Sequence, residues 1–107
     1  MLIARQIDAV KIIRDSVNEF LPNSSIFLFG SRARHDYTED SDYDLMIVAE
    51  NVPEVKGRRL LKAVIRKKLA QNRIPADIII QSKAEVEVNQ KITGHIVKQV
   101  LKEGIPL

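Results

Sequence analysis

The chain has 107 residues, 45% hydrophobic and 29% charged, with a net charge of +3. That suits one domain with one core, and the modest charge permits an acidic partner without demanding one. The absence of cysteine excludes disulfides and thiolate metal sites, the longest apolar run (residues 45–49) is far too short to span a membrane, and the N-terminus lacks a signal-peptide layout, so a cytoplasmic location is expected.

In residues 2–21 apolar side chains recur at Ile3, Ile7, Val10, Ile13, Val17 and Leu21, with Arg5, Asp8, Lys11 and Arg14 between them, which predicts an amphipathic helix. Pro22 and Asn23 end it. Ile26 to Phe29 reads as a short buried strand stopping at Gly30, and residues 44–49 as a second strand. Pro53 opens a second long helix with Leu60, Leu61, Val64, Ile65 and Leu69 on one face. Pro75 breaks the chain before a third strand at 76–80. Ser82 and Glu85 have capping-box spacing, so a helix starts there. A last helix carries Ile92, Ile96, Val97, Val100 and Leu101, with Gly104 at its C-cap and Ile105 packing back on the last turn. Three strands and several helices predict a small α/β (α+β) domain.

The stretch 30–44, GSRARHDYTEDSDYD, gathers five acids beside a turn suited to anions. Crowded like charges cost free energy, so they need a reason. Asp42 and Asp44 are two apart at a strand start and point to one face, where a cation between them relieves their repulsion. Oxygen-only ligands favour magnesium or manganese over zinc. Asp77 opens the third strand; if that strand neighbours the second, it completes a three-carboxylate cluster able to hold two divalent ions. Glycine at 30 lets backbone approach a phosphate, Ser31 adds a hydroxyl at the start of a short helix, and Arg32 and Arg34 add positive charge. Acids holding metal, and metal and turn holding a triphosphate, would balance the charges.

These residues resemble the minimal nucleotidyltransferase (MNT) branch of the DNA polymerase β-like superfamily. The pattern is Gly-Ser, ten residues, then Asp-x-Asp, met here by Gly30-Ser31 and Asp42-Tyr43-Asp44 without a gap. Four such residues at fixed spacing arise by chance in roughly one chain in a thousand. The resemblance implies a three- to four-stranded mixed sheet of nucleotidyltransferase fold, one domain over residues 1–107, and Asp77 as the third acid. It further implies a magnesium-dependent transfer of AMP from ATP to a hydroxyl, a tyrosine, of a partner HEPN-type ribonuclease toxin, with this chain as antitoxin and no direct nucleic-acid binding. One departure is His35, where the family often has glycine; histidine takes positive φ less readily.

Blander readings stand beside these. Asp42 and Asp44 alone would read as a solvated turn, and Asp77 as an ordinary strand start. Asp36, Glu39 and Asp40 read as loop solubility, and His35 and Tyr37 as exposed loop residues. His95 has no companions for a metal set. The run 58–68 has six basic and no acidic residues; it reads first as the wet side of a helix and second as a docking face for an acidic protein or RNA. Two rival functions remain open: an antitoxin that acts by binding alone, and a small-molecule nucleotidyltransferase, for which the chain offers no second domain to build an acceptor pocket.

Overall fold

The computed structural model describes residues 4–107, with side chains from Asp8 onward. The expectations for Ile3, Arg5 and Ile7 as helix-face residues therefore lie outside the described side chains. The elements are α1 (Ala4–Phe20), β1 (Ser25–Phe29), α2 (Gly30–Arg34), β2 (Tyr43–Ala49), α3 (Val55–Gln71), β3 (Ala76–Ser82), α4 (Lys83–Asn89), α5 (Ile96–Glu103) and β4 (Ile105–Pro106).

The four strands form one mixed sheet in the order β3-β2-β1-β4. β1 runs antiparallel to β2, and β2 parallel to β3. A parallel pair cannot be joined by a hairpin, and α3 supplies the crossover. Alternation along the strands splits the core in two. Tyr43, Leu45, Ile47, Ile78 and Ile80 pack with Ile13 and Val17 of α1 and Ile65 and Leu69 of α3. On the opposite face, Met46 and Val48 pack with Val97 and Val100 of α5. β2 is thus buried on both sides, which accounts for its unbroken apolar run.

The helix boundaries follow local chemistry. The Ser82 hydroxyl accepts from the Glu85 N–H at 3.1 Å, and Glu85 Oε1 accepts from the Ser82 N–H at 2.9 Å, so the capping box is formed as expected. His95, which had no expected task, caps α5: its Nδ1 accepts from the Val97 N–H at 3.1 Å. That start places Ile92 in the preceding turn rather than in the last helix. Gly104 follows α5 but is extended (φ −71°, ψ 152°) instead of left-handed, and its N–H donates to Val100 O at 2.6 Å. A Cβ there would lie 2.5 Å from that same oxygen, so glycine is needed for close approach. Ile105 then does not fold back on the helix; it pairs with Leu28 as part of β4.

Along α3 only part of the expected apolar face reaches the core. Leu61, Ile65 and Leu69 turn inward, whereas Leu60 is 71% exposed and Val64 is 40% exposed. A helix resting on a sheet by one stripe cannot bury a face that wide.

Candidate active site

The chemistry-bearing residues meet at one end of the sheet. β1 delivers the chain to Gly30, β2 begins beside Asp42 and carries Asp44, and β3 carries Asp77. The condition set on Asp77 is met: β2 and β3 are neighbours, and Asp44 and Asp77 are register partners. On the other side Asp44 is the register partner of Phe29. A hydrogen bond from the Tyr43 N–H to Pro75 O, 2.8 Å, ties the start of β2 to the segment before β3.

Gly30 adopts φ +71°, a region costly to other residues. A Cβ at this position would lie 2.1 Å from Asp44 Oδ2, so the turn lies directly on the Asp44 carboxylate. The motif's first glycine is required twice, by conformation and by contact. α2 has five residues, and its C-cap is His35 in the left-handed region (φ 64°, ψ 25°). Histidine thus holds a left-handed conformation that it takes less readily than glycine.

None of the carboxylates of Asp42, Asp44 and Asp77 has a hydrogen bond or ion pair among the described residues. Burial, then the charges of Asp77 and Asp42, push the Asp44 carboxyl above its ordinary value, and Arg34 opposes them. The donor set is chemically that of a hard divalent cation. Among the described residues no group of three His, Cys, Asp or Glu side chains converges closely enough to hold a metal ion. The register of Asp44 with Asp77 and the chemistry of the three acids suit a divalent metal.

Arg32, expected at a phosphate, is 6% exposed and holds the loop between the two halves of the motif. Its Nε donates to Ser41 O at 3.0 Å and its Nη2 to Glu39 O at 3.2 Å. The guanidinium lies 4.0 Å from the Tyr43 ring centroid and 4.6 Å from that of Tyr37. Tyr37 is accordingly half-buried instead of a free loop residue. Sequence reasoning missed this sandwich, though an arginine with two tyrosines nearby in the sequence was a visible cue. Arg34 stays exposed, pairs with Asp36 at 3.3 Å and is close enough to Asp44 to influence its carboxyl. The Ser31 hydroxyl has no partner among the described residues.

A groove of about 360 Å³ adjoins the site, lined by Asp42, Arg66, Lys67, Ala70, Pro75 and Ala76. A larger cavity of about 590 Å³ lies by α1 and β1, away from the acids, and includes Lys11, Arg14, Asp15 and Asn18. It holds none of the motif residues, so size alone is a poor guide here.

The family profile of the nucleotidyltransferase domain matches residues 10–107. A Methanocaldococcus jannaschii protein provisionally named a protein adenylyltransferase is 30% identical over 76 residues, covering 68% of this chain and 77% of its own length. A Sulfolobus solfataricus crystal structure, provisionally named a nucleotidyltransferase, superposes with a TM-score of 0.54 at 25% identity over 95% of this chain and 78% of that one. A chain in the structure of a tri-AMPylated Shewanella oneidensis HEPN toxin in complex with MNT antitoxin shares the fold, with a TM-score of 0.53 at 18% identity over 94% of this chain and 69% of that one. With the glycine turn seated on the first of two register-matched acids, and the family profile spanning nearly all of the sequence, the chain belongs to the nucleotidyltransferase domain family and is a nucleotidyltransferase.

Proposed function

We propose that the protein moves AMP from ATP to a hydroxyl, a tyrosine by family resemblance, of a HEPN-type ribonuclease, and so serves as its antitoxin. The observation that carries this is the juxtaposition of Gly30 against Asp44 with Asp77 in register beside it. The kinship with a protein adenylyltransferase supports a protein acceptor. The structural neighbour determined with its tri-AMPylated HEPN toxin supports the partner class.

In this reading Gly30 and Ser31 seat the triphosphate, and Arg34 offsets the charge of the departing pyrophosphate. Asp42, Asp44 and Asp77 would hold the divalent metal, magnesium or manganese, which when bound neutralises phosphate charge and acidifies the attacking hydroxyl. The acceptor oxygen bonds to the α-phosphorus as the bond from that phosphorus to the bridging β-oxygen breaks. Pyrophosphate leaves with the bond's electron pair, and Asp77, exposed at the start of β3, accepts the hydroxyl proton. The chain's contribution is positioning and charge stabilisation.

The test uses ATP labelled at either the α- or the γ-phosphate, with magnesium and the partner ribonuclease. Label from the α-position alone should reach the partner, with stoichiometric pyrophosphate. Transfer of the γ-label would make the protein a kinase, and labelling of small hydroxylated acceptors in preference to the partner would favour the small-molecule reading.

A further inference from the structure

We propose that the outward face of α3, with the groove at its C-terminal end, docks an acidic segment of the acceptor polypeptide and leads it to the active-site carboxylates. This deepens the proposed protein-acceptor reading and rests on it.

The starting point is the division of labour within the basic run. Arg58 is spent on structure: it pairs with Glu85 at 2.9 Å and donates to Ile80 O at 3.2 Å. Lys68 pairs with Glu19 of α1. Arg59, Lys62, Arg66 and Lys67 have no partner among the described residues. Successive residues turn by about 100° around a helix, so with Ile65 and Leu69 facing inward, Arg59, Leu60, Ala63, Val64, Arg66 and Lys67 share the outward side.

An ordinary solvated helix face mixes signs and keeps large apolar side chains out of water. This one departs from that pattern twice. α3 contains no acid in 17 residues, and Leu60 and Val64 stand exposed among the cations. Apolar centres ringed by one sign of charge mark contact surfaces.

The groove supplies direction. Arg66, Lys67 and Ala70 form its α3 wall, Pro75 and Ala76 its floor at the start of β3, and Asp42 its far end. The glycine turn, where the triphosphate is expected, lies at the end of β1, on the opposite side of Asp44 from β3. The nucleotide and the groove therefore approach the acids from opposite sides, as donor and acceptor must. Between an acidic protein and RNA, the surface favours protein: α3 carries no aromatic ring on which a base could stack, while Leu60 and Val64 suit an apolar side chain.

Binding of fluorescein-labelled peptides tests this without requiring turnover. Each peptide carries one tyrosine and one leucine, flanked by four glutamates, four glutamines or four lysines, and a single-stranded RNA of matched length is the fourth probe. The acidic peptide should bind tightest, lose roughly tenfold in affinity in the Arg66→Glu/Lys67→Glu variant, and weaken with salt. Arg66→Gln/Lys67→Gln should lose less, and exposed Leu60→Ala should lose about threefold. Equal binding of the three peptides, or an acidic-peptide affinity that the charge reversal leaves unchanged, overturns the proposal; tighter binding of RNA that falls in the same variant assigns the surface to RNA instead. Magnesium-dependent ATP binding, measured in parallel, should be unchanged by Leu60→Ala. Loss of ATP binding from the wild type with acidic-peptide binding intact would sink the transferase reading while leaving the dock standing.

Discussion

Asp44 sits where function and stability oppose each other. Its carboxyl is raised by burial and by Asp77 and Asp42, so ionisation costs more in the folded chain than in the unfolded one. A raised acid works against folding at neutral pH, and the penalty disappears as pH falls through the folded value. Asp44→Asn in a chelating buffer should therefore raise Tm at pH 7, with no gain at pH 3. Magnesium with ATP should raise the Tm of the wild type and leave that of the variant unmoved. Asp77→Asn is expected to behave differently, keeping most of the nucleotide affinity and losing most of the rate, because the role proposed for it is at the attacking oxygen. Unchanged turnover in that variant would make Asp77 a structural residue. His35 offers a test free of chemistry: held at φ 64°, it should tolerate glycine, while His35→Val should cost about 1–2 kcal/mol in denaturant unfolding.

At the scale of elements, the loop joining α2 to β2 is held by one guanidinium. Arg32→Met removes three hydrogen bonds, to the backbone carbonyls of Ser41, Glu39 and Thr38, and the charge between two rings. The expected cost is about 2–4 kcal/mol with faster proteolysis in residues 35–42; Arg32→Lys should recover little, since an ammonium cannot reproduce the fork. The start of α4 carries its own pH signature. Glu85 is lowered by its hydrogen bond from Arg58 and by the Ser82 backbone. A lowered acid stabilises above its unfolded value of 4.5 and loses that contribution as pH drops through the folded one. Glu85→Gln should thus be less stable than wild type at pH 7, by less than about 1 kcal/mol given its exposure, and equal to it near pH 3. What could be read beforehand follows from this scale. Periods of 3.6 and 2 revealed the long helices and three strands, because burial repeats along them. β4 escaped notice because Ile105 and Pro106 are too few to show any period and are held only by β1. Leu60 and Val64 looked like core because an apolar stripe does not say how much of itself finds a partner. Arg32 and Arg34 look equivalent as letters; only the folded loop brings carbonyls and rings to one and leaves the other at the site.

For the whole molecule, Asp42 just before β2, Asp44 on β2 and Asp77 on β3 stand at one end of the sheet, their carboxylates without a hydrogen bond or ion pair among the described residues. The fixed spacing from Gly30-Ser31 to Asp42 and Asp44 was legible because it is local. The pairing of Asp44 with Asp77 was only conditional, since it depends on which strands neighbour each other. Helices pack against both faces of the sheet, and the basic outer side of α3 borders the acids through the groove. The central claim is that these acids transfer AMP to the partner ribonuclease. Its most direct test is the intact mass of that ribonuclease after co-expression with wild-type protein or with the Asp42→Ala/Asp44→Ala variant. The expected result is a partner heavier by one or more AMP groups with the wild type and unmodified with the variant, although the variant remains folded. An unmodified partner that the wild type nevertheless silences would contradict the claim and leave an antitoxin that acts by contact alone.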